Sequence, residues 1–265
     1  MGVICFEVDT IPDLSLNKYQ TLADTGIEGV LKRHESFLRQ WHGIGMAGGI
    51  SFHLLYLFIP QLPVGERLKL YFMLQGSLEE LKMTEPLLHN SPLSDFYTFK
   101  YVKNPHNVLF KFGATLLKKE AVADIKNPLT GQPTSVYYVP QWEVNDQCRL
   151  YDLFRIMKTV SESYSPSTAC AFRVDIYPTS TLTDTRKKFN PILQSLRGEN
   201  DIRLMNNTQS IKTDNDARDV CSEYEDWMTC IETTPHFRVN IHAFADTLFK
   251  AKVLLNAAGA EALNE

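Results

Sequence analysis

The chain has 265 residues, a formal net charge of −4 and an isoelectric point near 6.0. Hydrophobic residues make up 44% and charged residues 22%, a globular balance that excludes a disordered chain and leaves room for one large domain or two small ones. The densest basic tract is Arg186-Lys187-Lys188, too little to neutralise many phosphates, so the charge argues against a dedicated DNA-binding surface.

Residues 1–24 read as an extended lead-in, without the basic start and apolar run of a secretory signal. Thr25-Gly26-Ile27-Glu28 has the form of a capping box, and Ile27, Val30, Leu31, His34, Leu38 and Trp41 follow at helical spacing. Gly43, Gly45, Gly48 and Gly49 then suggest a flexible connector, because glycine is costly inside a helix. Two strands are expected at Ile50–Ile59 and Arg67–Leu74, with Pro60 and Pro63-Val64-Gly65 turning the chain between them. The apolar run Leu54–Ile59 is too short to cross a bilayer.

A helix follows over Ser77–Leu88, with Pro86 expected to disturb its last turn. Between 100 and 140 the pattern is strand-like and irregular, with a turn at Asn127–Pro133 and a strand at Val136–Val139. Asn145-Asp146 can cap a helix whose stripe is Leu150, Leu153, Phe154, Met157 and Val160. Next come a strand at Ala169–Tyr177 and a helix at Thr183–Leu196, interrupted at Asn190-Pro191 and stopped by Gly198. A further helix carries Ala217, Val220, Cys221, Tyr224, Trp227 and Ile231, followed by a strand at Phe237–His242 and a last helix at Asp246–Leu263.

Phe172-Arg173-Val174-Asp175-Ile176 and Phe237-Arg238-Val239-Asn240-Ile241 differ at one position, and a helix follows each. The expected fold is therefore α+β, a mainly antiparallel sheet with helices on one face, open to reading as duplicated ferredoxin-like units. The expected organisation is a lead-in and helix at 1–49 and an α+β domain at 50–265, divisible into 50–145 and 146–265.

Signals of chemistry are sparse. No G-x-x-x-x-G-K-[ST] or G-x-S-x-G occurs. Gly43-x-Gly45-x-x-Gly48 has dinucleotide-fingerprint spacing but follows a helix instead of a strand. The seven histidines, at 34, 42, 53, 89, 106, 236 and 242, show no metal-ligand spacing. His34 lies on the apolar side of its helix, while His53 and His242 fall in strands. The five cysteines are irregularly spaced, which fits reduced thiols in a cytoplasmic protein. Within the similar strands Phe172, Val174 and Ile176 face one side and Arg173 and Asp175 the other, a solvated or salt-bridging face. No catalytic, cofactor or metal residue is assigned, and no cofactor is expected. The candidate interaction surface is Trp41, His42, Tyr137, Tyr138, Arg173 and Arg238.

The succession ISFHLLYLFIP, RLKLYFMLQGSLEEL, VYYVPQWEV, FRVDIYPTSTLT and FRVNIHAFADTLFKAKVLL resembles the region preceding the motor in bacterial HerA/FtsK-superfamily ATPases, closest to the conjugation, type IV secretion and HerA-like branches. The resemblance spans roughly residues 48–263. It implies a non-catalytic cytoplasmic module for oligomer assembly and partner docking in DNA translocation. Its partner would be itself or an ATPase motor domain or subunit, with nucleic acid reached only indirectly and no transmembrane segment. It further implies either a piece of a longer ATPase or a free-standing version. The alternatives are a small-molecule enzyme on a ferredoxin-like scaffold and a nucleic-acid-binding module, which would need a basic, aromatic-lined sheet face with Tyr71, Tyr137, Tyr138 and Arg173.

Overall fold

The computed structural model describes residues 1–10, 27–103, 110–116, 121–126, 133–138, 143–144, 150–163, 166–179 and 215–264, with helical positions Lys187, Asn190, Pro191, Leu193, Gln194 and Arg197. Its elements are β1 (Gly2–Thr10), α1 (Ile27–Gly48), β2 (Ser51–Phe58), β3 (Leu68–Gly76), α2 (Leu78–His89), β4 (Thr98–Tyr101), β5 (Phe112–Leu116), β6 (Ala121–Lys126), β7 (Pro133–Tyr138), β8 (Glu143–Val144), α3 (Leu150–Glu162), β9 (Cys170–Thr179), α4 (Asn215–Thr233), β10 (His236–Ala245), α5 (Leu248–Ala262) and β11 (Leu263–Asn264). Thr25, the Asn145-Asp146 cap, the turn residues 127–132, Cys148 and Gly198 lie outside the described residues.

The chain forms two compact units, residues 1–117, 142–179 and 237–265 in the first and 118–141 and 180–236 in the second. The first holds a seven-stranded antiparallel sheet in the order β4-β1-β3-β2-β9-β10-β5. β1 lies between β4 and β3, so it belongs to the same unit as the later strands. The class is therefore α+β, as the sequence pattern predicts.

Period-two alternation decides which side chains go inward. Phe52, Leu54, Tyr56 and Phe58 of β2 stand opposite Leu74, Phe72, Leu70 and Leu68 of β3 and Ile176, Val174, Phe172 and Cys170 of β9. That face carries the helices. At one end Phe37 and Trp41 of α1 and Leu81 and Leu88 of α2 pack on Phe6, Phe52, Phe72 and Leu74. Trp41, 1% exposed, meets Phe37, Phe52 and Phe72 at ring separations of 5.5, 6.5 and 5.9 Å. At the other end Leu153, Met157 and Val160 of α3 and Ala251, Leu254, Leu255 and Ala258 of α5 pack on Phe58, Phe172, Ile241, Ala243 and Ala245. Alanines on both α5 and β10 let that helix approach the strands closely.

One expectation fails. The glycines after Trp41 are not a connector: α1 continues through Gly43 and Gly45 to Gly48. A Cβ on Gly45 would collide with the Pro178 ring of β9 and stand 2.6 Å from the Ile50 carbonyl oxygen, so tight helix–sheet packing outweighs glycine's poor helix propensity. The turn falls at Gly49, whose φ of 60° suits glycine. Pro86 lies within α2, which runs on to His89. Ser77 accepts the Glu80 amide and so caps its start. His34 is half-buried as expected, its Nδ1 2.8 Å from the Val30 carbonyl and its Nε2 2.9 Å from the Tyr97 hydroxyl.

The second unit contains the antiparallel pair β6–β7 and the helix α4. Asn190 and Pro191 are both helical there, and Leu193, Cys221 and Tyr224 are buried. Among the described residues no helix is long and apolar enough to cross a membrane.

Candidate functional site

The helices of the first unit leave the opposite face of its sheet to other side chains. Toward β1 and β3 this face is mainly apolar: Cys5, Leu57, Tyr71 and Ala171 are buried beneath Leu62, Val102 and Phe110 of the connecting segments, beside the half-buried Glu7–Lys69 ion pair at 2.7 Å. Toward β9, β10 and β5 it is polar and aromatic. Ser51 and His53 of β2, Arg173, Asp175 and Tyr177 of β9, Arg238, Asn240, His242 and Phe244 of β10 and Thr115 of β5 all point this way by strand alternation.

At the centre is Asp175, 1% exposed. His53, its cross-strand partner in β2, places Nδ1 2.6 Å from Oδ1. His242 of β10 places Nε2 3.1 Å from Oδ2. Arg173 Nη2 donates to Oδ2 at 3.0 Å, while its Nε lies 2.8 Å from Oδ1 but off the N–H direction. The far nitrogen of each imidazole meets a hydroxyl: Ser51 Oγ is 3.3 Å from His53 Nε2, and Thr115 Oγ1 is 2.8 Å from His242 Nδ1. The result is one polar line, Ser51–His53–Asp175–His242–Thr115, across four neighbouring strands.

Its electrostatics are self-consistent. Burial alone would raise the Asp175 carboxyl, but the hydrogen bond from His53 and the charges of Arg173 and the imidazoles outweigh it and hold the group below the usual carboxylate range. Burial, with Arg173 nearby, pushes His242 below the ordinary histidine value despite Asp175. A neutral His242 donates through Nε2 to the carboxylate and accepts from Thr115 at Nδ1. The Arg173 cation compensates the buried anion.

The expected salt-bridging face is therefore present, but Asp175 is buried, not solvated. The line has the Ser–His–Asp order of a nucleophile and its base, yet the nucleophile contact is long and the same carboxylate also serves a second histidine through its other oxygen. Asp175, His53 and His242 do not make a metal site either, since both imidazoles aim a nitrogen at the carboxylate beside the Arg173 cation. Among the described residues no group of three or more His, Cys, Asp or Glu is placed to hold a metal ion.

The candidate surface residues separate. Trp41 is in the core. His42 is half-buried at the end of α1, donating to the Thr179 carbonyl at 3.2 Å and meeting Phe237 edge-on. Tyr137 and Tyr138 are in β7 of the second unit, their side chains outside the described residues. Arg173 and Arg238 do share the helix-free face, each over an aromatic ring: Phe244 at 5.2 Å and Tyr177 at 4.8 Å. Tyr71 is 1% exposed and is not available to a partner. Sequence reading missed Ser51, Thr115, Tyr177 and Phe244, and it separated His53 from His242. Alternation could place each on a face of its own strand, but not next to the others.

The second unit has an open groove of about 580 Å³ lined by Asn190, Leu193, Arg197, Glu225, Met228 and Glu232, among others. Its Arg197 and Glu225 pair with each other at 2.6 Å.

No family model matches the chain, and no curated protein is similar to it. What defines the class is the fold, an α+β protein with a seven-stranded antiparallel sheet.

Proposed function

We propose that this chain is a non-catalytic assembly and partner-docking module, of the kind implied by its resemblance to the region preceding the motor in DNA-translocating and secretion ATPases. The observation that supports this reading most is the saturation of the polar line. Asp175 is engaged by His53, His242 and Arg173, and each imidazole is closed off by a hydroxyl. Such a network rigidifies a sheet and selects its register, whereas a catalytic centre keeps a nucleophile facing a cavity and donors free for the developing charge. The groove of the second unit does not favour an enzyme either, because Arg197 and Glu225 neutralise each other instead of converging on the void. The partner is a second copy of the chain or an ATPase motor subunit.

Sedimentation velocity over a concentration series tests the assembly reading, with calorimetric titration of magnesium-ATP alongside it. Species at multiples of 30.3 kDa with no heat of ATP binding are expected. Tight ATP binding by the isolated chain overturns the reading. So does a strict monomer that also fails to sediment with a motor subunit.

A further inference from the structure

We propose that the helix-free face at β9, β10 and β5 binds single-stranded nucleic acid, with Arg238 and Tyr177 at one end of the track and Arg173 and Phe244 at the other. This inference does not depend on whether the chain assembles.

Charge comes first. The residues of β2, β9, β10 and β5 that point to this face include one carboxylate, Asp175, and it is buried beneath its partners. Arg173 offsets that carboxylate. Arg238 is exposed and has no acidic partner among the described residues, so the face presents a net cation to solvent.

Shape and ring chemistry narrow the class of anion. The Arg238 guanidinium lies over Tyr177, and Arg173 lies over Phe244. Phe244 stacks on His242 at 6.1 Å and 27° and meets Phe110 in a tilted contact at 6.0 Å and 35°. Tyr177 in turn meets the His53 ring at 5.9 Å. A guanidinium held over a ring can offer its outer face to a base, and that of Arg238, which has no acidic partner among the described residues, also offers its N–H groups to a phosphate. An acidic peptide would use the edge and leave the planes and rings unused.

Span and charge count select single strands over duplex. Arg173 stands level with Phe244, six residues along β10 from Arg238, which is roughly 20 Å of strand. Sheet-type RNA binders stack about two or three bases over comparable surfaces. One uncompensated arginine cannot neutralise the six to ten phosphates, roughly, of a duplex site, and a sheet face cannot enter a groove to stack on paired bases.

The test is fluorescence anisotropy with end-labelled oligo-dT and oligo-U at salt from about 50 to about 200 mM. A duplex of the same length and an oligoglutamate peptide of equal charge are run beside them. Single strands are expected to bind, with a slope of log K against log salt near about −0.7 for the one phosphate that Arg238 can neutralise. Arg238→Ala, an exposed change that leaves the core intact, is expected to weaken binding about tenfold and to flatten the slope by about 0.7. Tyr177→Ala is expected to weaken binding about tenfold through lost stacking, with its melting curve checked against wild type. No binding at about 100 μM protein in the low-salt buffer overturns the proposal. Wild-type affinity in Arg238→Ala, or equal affinity for oligoglutamate, does so as well. A chain that assembles without binding oligonucleotide sinks this inference and spares the assembly reading, and a monomer that binds does the reverse.

Discussion

His53 and Asp175, 122 residues apart in sequence, face each other across β2 and β9 with Nδ1 2.6 Å from Oδ1, both side chains buried. Of the contacts to the carboxylate, this one is the shortest, and it ties two central strands that both run beneath the two helix-packed core clusters. A one-residue slip of either strand would turn its member of the pair toward the helices and leave the other without its partner. The pair therefore contributes to register as well as to stability.

Replacing Asp175 with alanine leaves His53, His242 and Arg173 without their common acceptor. Removing one member of a buried charged set typically costs about 3–5 kcal/mol. Asp175→Ala is expected to lose about that much stability in urea denaturation, and Asp175→Asn less, because the amide keeps one acceptor. A change below about 0.5 kcal/mol for Asp175→Ala would place it with ordinary surface substitutions and remove the network's structural role.

The same groups set the acid response. Asp175 is held below its ordinary value of 3.8, so the stability from its ionised form is present above that value and is lost as pH falls through the lower folded value. His242 is held below 6.5, so between the folded value and 6.5 the unfolded chain binds more protons, and stability declines as pH drops through that window. Both contributions have the same sign. Two-step loss of stability on acidification is expected in denaturation curves taken at successive pH values, and His242→Gln is expected to remove the upper step. Arg173, His53, Tyr177 and Arg238 face the same cluster and stay in place in that comparison.

Two glycines of α1 should respond oppositely to alanine. Gly43 is exposed with nothing within 4 Å of an added Cβ, so Gly43→Ala is expected to raise stability by about 0.5–1 kcal/mol through helix propensity. Gly45 meets Pro178 and the Ile50 carbonyl, so Gly45→Ala is expected to lower stability by about 1–3 kcal/mol through overpacking. Thermal melts of the two single variants read the contrast directly, and similar shifts in both would mean that α1 does not seat on β9 as described.

Cys5 and Cys170 are buried thiols whose pKa values burial pushes up to about 12. The thiolate is the reactive form, so neither should alkylate in the native protein near neutral pH. Peptide mapping after native iodoacetamide treatment is expected to find both unmodified, and modified once denaturant is added. Native labelling of Cys170 would show that the α3–β9 packing opens readily.

Much of the fold was legible because it is written in local periodicity. Alternation in Phe172–Ile176 and Phe237–Ile241 placed Arg173, Asp175 and Arg238 away from the apolar side, and the stripe of α3 marked the face it buries. On α1, by contrast, Val30 and Trp41 are buried but Leu31 and Leu38 are exposed, and Phe37 takes the inward place. Those patterns determined the α+β class and the helix-bearing face, since burying an apolar stripe requires no knowledge of which strand lies next door. Tertiary structure alone decided the rest. Strand order brought His53, Asp175, His242 and Thr115 into one line, because pairing partners are chosen by non-local register and not by neighbours in sequence. Packing against Pro178 likewise made a helix of a glycine-rich stretch whose own propensity opposes it.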